Sequence, residues 1–141
     1  MSDREEFRAT LKGVDSVLVA VEDMEPGAER DGLTQSQIQT DVELRLRQSG
    51  ITVDPISHYI LYVNVNTVRT DDGFYAYNIE VSFAQAVMLL RAPETLLNFV
   101  PTWGVGSVGT IRANRLRNVR SRVIDHVDKF INAYLEQNPK Q

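Results

Sequence analysis

Gly104, Gly106 and Gly109 stand at G-x-G-x-x-G spacing in the stretch GVGSVG, with Thr110, Arg112 and Arg115 following. Glycines so spaced let a backbone wrap a pyrophosphate when a strand precedes them, a helix follows, and a second parallel strand brings an acid to the ribose about 20 residues later. Here the last condition has no room, because the chain beyond Gly109 is one helical pattern closing in EQNPKQ. A Walker loop needs Lys and then Ser or Thr after its last glycine, and Thr110 and Ile111 occupy those places. The glycines are therefore expected to be structural, giving another backbone or the Trp103 ring close approach in an edge strand or turn. The chemistry left to them is anion binding: Gly104, Gly106, Gly109 and Thr110 at the amino terminus of the last helix, with Arg112 and Arg115 in its first turns.

Other reactive groups are sparse. The chain has no cysteine, which excludes disulfides, thiolate catalysis and cysteine metal sites. His58 and His126 are the only histidines, and neither H-E-x-x-H nor G-x-S-x-G occurs. The expectation is a non-catalytic protein with no metal and no cofactor. Glu22, Asp23, Glu25, Glu29 and Asp31 crowd one loop but lack the alternate acids and distal Glu of a calcium-binding EF-hand. That loop is read as solvated, or as facing the arginine-rich helix of another copy, since opposite charge patches favour self-association. Of the arginines at 112, 115, 117, 120 and 122, helical spacing turns Arg112 and Arg120 toward the apolar stripe. One of those two is expected to pair with a strand or loop carboxylate or an external anion, because an unpaired buried charge is costly.

A length of 141 residues, 43% hydrophobic and 24% charged, fits one ordinary globular domain. The net charge of −4 argues against a surface built to neutralise nucleic-acid phosphates. No apolar run approaches the ~20 residues of a membrane-spanning helix, and MSDREEFRATLKG lacks the apolar core of a signal peptide.

The elements that must position any site follow from periodicity. SVLVAV (16–21) reads as a first, central strand covered on both sides. Thr34 and Gln37 form a capping box ahead of Ile38, Val42 and Leu46 at helical spacing, which predicts a helix over 35–48. Residues 58–69 and 74–83 alternate around Asp71-Asp72-Gly73, a hairpin signal. The third strand is expected to run on toward Leu89, with a bulge near 84–86, before Ala92-Pro93 breaks it. A fourth returns within 96–105. Residues 110–137 read as one long helix whose Leu116, Val119, Val123, Val127, Phe130, Ile131 and Tyr134 share a stripe.

The predicted architecture is thus an α+β two-layer sandwich: a mostly antiparallel four-stranded sheet in β-α-β-β-β-α order, with two helices packed on one face. Residues 1–13 are expected to be a loose charged arm with a helical turn near Glu5 to Leu11, 14–137 a single domain, and 138–141 a disordered tail. The sheet's other face would present Tyr62, Asn64, Asn66, Asn78 and Glu80 which, with Trp103, form a candidate surface for a protein partner or a second copy. This order of elements resembles the small α/β domains of bacterial envelope proteins, such as the amino-terminal domain of the translocation protein TolB. The resemblance implies a periplasmic or envelope setting where a leader has been removed, and the cytoplasm otherwise. The function expected is a non-catalytic interaction domain, with a small-anion or nucleotide sensor as the alternative.

Overall fold

In the computed structural model, which describes residues 2–140, residues that alternate in sequence also alternate in burial. Strands β2 (Ile60–Arg69) and β3 (Phe74–Leu89) pair antiparallel, with Leu61 opposite Phe83, Val63 opposite Val81 and Val65 opposite Ile79. The turn between them places Gly73 at φ 83°, a left-handed conformation open to glycine without steric cost. Strand β1 (Leu18–Val21) runs parallel to β2, and β4 (Ala92–Arg112) lies antiparallel on β3, giving the order β1-β2-β3-β4. The sheet is therefore mixed but mostly antiparallel, and the architecture is the predicted α+β sandwich.

Helix α3 (Gln35–Gln48) starts at the capping box: Thr34 accepts from the Gln37 amide while the Gln37 side chain accepts from the Thr34 amide. Its buried face is Ile38, Val42 and Leu46, as its spacing requires. Helix α4 (Val119–Gln137) buries Val119, Val123, Val127, Phe130 and Ile131 against the same face of the sheet. Phe130 stacks on Phe83 at 5.8 Å between centroids and meets Trp103 edge-on at 5.4 Å. Arg120 donates to both Asp41 oxygens at 2.7 and 2.8 Å, and Arg45 to both Asp128 oxygens at 2.7 and 2.9 Å, so two forked pairs clip α3 to α4. Arg120 finds the expected carboxylate, supplied by a helix instead of a strand or loop.

Several expectations are corrected. β1 is an edge strand, not a central one; its apolar run reflects a helix layer on one side and half-exposed Leu18 and Ala20 on the other. β4 is far longer than foreseen, and Pro93 does not break the hairpin. The last helix begins at Val119, after a 3-10 helix over Ala113–Asn118. The acidic loop contains a short helix, α2 (Pro26–Arg30), capped by the Glu25 side chain.

The amino-terminal segment is tied down instead of loose. Helix α1 (Glu5–Arg8) continues into a 3-10 turn that buries Leu11 completely. Asp3 accepts the indole N–H of buried Trp103 at 2.7 Å and bonds from Nε and Nη2 of Arg8 at 2.9 Å each, while Nη1 of Arg8 donates to Glu136 on α4. At the other end Asn138 bonds the Gly13 amide and the Leu11 and Tyr134 carbonyls; Gln141 lies outside the described residues.

The Arg8 hydrogen bond holds the Asp3 carboxyl below its ordinary value, against the opposing effect of burial. A lowered folded-state value means that the stabilisation is complete above the ordinary carboxyl range and is lost as pH falls through the lowered one. Asp3→Ala leaves a buried N–H unpaired, so urea unfolding followed by Trp103 fluorescence is expected to show a loss of about 1–3 kcal/mol at neutral pH. The same variant is expected to lose less stability than wild type on acidification.

Candidate functional site

The side chains that alternate away from the helices form an uncovered outer face. Tyr62, Asn64 and Asn66 of β2 stand opposite Ser82, Glu80 and Asn78 of β3. Asn66 donates to Asn78 across the strands at 3.3 Å. Tyr62 donates to the Glu22 carboxylate at the end of β1. Beside these polar groups lie exposed apolar ones, Val68 and Val108, and a groove of 470 Å³ runs between them over Ala76 and Thr110. A second groove, of 340 Å³, is walled by Tyr62, Ile60, Phe99 and Pro101.

Phe99 belongs to a feature that extends beyond the sheet. β2 pairs with β3 only as far as Ala84; past it β3 and β4 continue as a two-stranded arm turning at Leu90 and Arg91. Val87 faces Leu97 and Met88 faces Leu96, while Leu90 is 98% exposed at the tip. Between Gln85 and Val87 the register shifts by one residue on β4, and there Phe99 takes φ 59°. A non-glycine residue held left-handed costs about 1–3 kcal/mol, yet the Phe99 side chain is 58% exposed.

The structure does not bring the glycine-arginine group together as an anion site. GVGSVG is neither a turn nor a helix start: Gly104, Gly106, Gly109 and Thr110 sit in the ladder opposite Ser82, Glu80, Tyr77 and Ala76. Arg112 lies over the Phe74 ring at 5.1 Å, and Arg115 is exposed on the 3-10 helix, before α4 begins. The glycines answer to close approach. A Cβ on Gly109 would lie 2.5 Å from the Tyr77 hydroxyl oxygen, because the Tyr77 ring crosses the inner face there, and one on Gly106 would lie 2.9 Å from the Ile79 carbonyl oxygen.

Trp103 is also corrected as a partner-surface residue, since it is fully buried with its N–H satisfied by Asp3. The other five surface candidates share the outer face. The arm went unrecognised in the sequence, although AVMLLRAPETLLNFV carried the signal: apolar residues continuing on both sides of the expected break. Among the described residues, no three histidine, aspartate or glutamate side chains gather as a metal site, and no helix is long and apolar enough to cross a membrane.

No family model matches the chain, and no curated protein does. Several solved structures are similar, two of which illustrate the likeness. One is a PelC dodecamer from Paraburkholderia phytofirmans, 17% identical over 83% of this chain and 86% of that one, with a TM-score of 0.47. The other is a minor lipoprotein from Acinetobacter baumannii, 11% identical over 87% of this chain and 91% of that one, with a TM-score of 0.32.

Two measurements follow from this geometry. Burial first, then the Glu22 hydrogen bond and the charges of Glu22 and Glu80, push the Tyr62 phenol up to about 12. A raised folded-state value makes the linked stability complete below the ordinary tyrosine value of about 10, and lost as pH rises from there through about 12. The difference absorbance titration of wild type against Tyr62→Phe is expected to show this late phenol, and Glu22→Gln to bring it down. Gly109→Ala forces the Tyr77 ring to move and is expected to cost about 1–3 kcal/mol in chemical denaturation; an effect below about 0.5 kcal/mol, the range of ordinary surface changes, would contradict the close-approach role.

Proposed function

We propose that the chain is a non-catalytic interaction domain that receives a protein partner on the outer face of its sheet. The observation that carries this reading is the pairing of an uncovered polar face with a strained, exposed aromatic at its border. Tyr62 and Phe99 flank one groove, supplying the kind of aromatic anchors that dominate interface energies, with Glu80 and Ser82 in its lining, and Asn64, Asn66 and Asn78 offer donors and acceptors farther along the same face. Backbone strain at an exposed side chain is unrewarded within the chain itself, and strain of this kind clusters at ligand clamps. The resemblance of the element order to small domains of bacterial envelope proteins supports an envelope-associated setting for the partner.

The test uses a photoreactive residue in place of Asn66 to trap bound proteins in extract of the source cells, followed by titration of the trapped protein against purified variants. Tyr62→Ala is expected to weaken binding by about tenfold or more, with circular dichroism unchanged. Phe99→Gly is expected to weaken it similarly while leaving thermal stability equal or higher, because glycine takes the left-handed conformation freely. Leu44→Ala, on the exposed side of α3, is expected to bind as wild type. Equal binding by all variants would overturn the reading.

A further inference from the structure

Five of the nine large apolar side chains that stand exposed among the described residues fall between Met88 and Phe99. Phe99 lies near the base of the arm and lines the Tyr62 groove. The other four, Met88, Leu90, Leu96 and Leu97, crown the tip, with Met88 66% and Leu96 57% exposed and Leu90 almost wholly so. Successive strand residues turn to opposite faces, so the Val87–Leu97 pair lies on one face of the ribbon and the Met88–Leu96 pair on the other. Both faces and the turn that joins them are therefore apolar, and exposed apolar clusters mark interaction sites.

The shape of the arm limits what can cover it. In the body of the sheet, β4 presents a bare edge from Trp103 to Arg112, regular in its ladder and met, among the described residues, by Ser2 at the Gly104 amide. The arm is built the other way. Its ladder shifts register between Phe83 and Ala84, between Gln85 and Val87, and between Met88 and Leu89, and its β4 side carries Pro93 and Pro101, which have no N–H. Bulges and prolines keep an added strand off an edge, so neither an extended peptide nor the arm of a second copy finds a ladder to continue. Residues 87–97 also fall short of the roughly 20–30 residues a side that a stable protein interface uses. A protruding ribbon offers a flat partner only one of its two apolar faces, whereas a fluid apolar layer closes on both and requires no fit.

We infer that the tip of the arm is a lipid-binding element that enters the interfacial layer of a bilayer. The backbone sets how deep it goes. Beyond Ala84 both edges of the ribbon lack a neighbouring strand, and their free amides and carbonyls are excluded from the hydrocarbon core but accepted in the hydrated headgroup layer. From the Val87–Leu97 pair to Leu90 the strand rises about 10 Å, which matches the depth of that layer. Arg91 and Glu94, one of each sign, are the only charges between Phe83 and Ile111. The Arg91 stem can lie along the apolar layer with its guanidinium among the phosphates. With no net charge on the arm and −4 on the chain, attachment draws on apolar burial and gains nothing from anionic lipid. Gln85 donates to the Thr10 carbonyl and the Thr102 hydroxyl, so the arm is held out from the body before lipid is met.

The chain has no cysteine, so Leu90→Cys carries a single environment-sensitive fluorophore on the full chain. With vesicles of phosphatidylcholine alone, its emission is expected to strengthen and shift to the blue. Lipids brominated near the headgroup end of the acyl chain are expected to quench it more than lipids brominated at the tail end. The same label at Leu44→Cys, on α3, is expected to emit as in water. Leu90→Glu combined with Leu96→Glu is expected to weaken vesicle binding of the unlabelled chain by about tenfold or more, with circular dichroism unchanged. Exchanging part of the phosphatidylcholine for phosphatidylserine is expected to give no stronger binding. A wild-type chain still free at about 1 mM lipid, where a single myristoyl group would be largely bound, would overturn the inference. So would a blue shift that grows with protein concentration in the absence of vesicles, because a second copy would then be covering the tip. Binding to anionic vesicles alone, or binding that survives both glutamates, would overturn it as well. Phe99→Gly keeps the four tip side chains and is expected to bind vesicles as wild type, so this result and the fate of the Tyr62 groove are read separately.

Discussion

Phe130 sits between Phe83 and Trp103, and most of the molecule is arranged to keep that contact dry. The indole N–H cannot be buried unpaired without a cost of about 1–3 kcal/mol, so an acceptor has to be brought to it. Asp3 supplies one, Arg8 neutralises Asp3, and Glu136 on α4 anchors Arg8. The aromatic cluster thus draws the amino-terminal segment onto the end of the last helix, where Asn138 secures Leu11 and Gly13. On the far side of α4, the Arg120–Asp41 and Arg45–Asp128 pairs fix α3 alongside. Both helices therefore lie on one face of the sheet, and the other face is left without a layer.

Where the sequence was legible, the reason was local. The capping box of α3, its i, i+4 apolar spacing and the alternating runs around Asp71-Asp72-Gly73 each declare themselves within a few residues, and each element formed where its pattern lies. The faces were legible for the same reason: parity alone assigns Leu61 and Val63 to the core and Asn64 and Asn66 to the outside.

What failed depended on distant partners. Trp103 among glycines looks exposed, and the residue that buries its polar atom is Asp3, far away in the chain. β1 looks central because its residues are apolar on both faces, whereas the closure of its edge lies in Gln35 and Gln39 of α3, which a periodicity count reads as solvated helix. Leu116 fits the stripe of α4 although it stands in a 3-10 helix, since the two helical periods agree over a single turn. That coincidence moved the expected helix start back into β4 and made an anion site at a helix terminus conceivable, while the expected edge-strand role of the glycines is the one they have. They are strand residues whose missing side chains leave room for Tyr77 and for the backbone of Ile79.

The arm and the bare edge are both parts of β4, and a single irregularity separates them. Phe83 pairs with Trp103 but Ala84 pairs with Pro101, so Thr102 is the extra residue of a bulge. Bulges sharpen strand twist and bend the bulged strand. This one is pinned, because the Thr102 hydroxyl accepts from Gln85 and from Thr10, each at 3.0 Å. The hinge between arm and edge is therefore fixed by the same amino-terminal turn that serves the Trp103 cluster. A two-stranded ribbon is marginal by itself in water, and the arm keeps its form only because its base is clamped here. Residues beyond the bulge follow a different direction from those before it. The core contact that built the sheet thereby also sets the direction in which the arm leaves it.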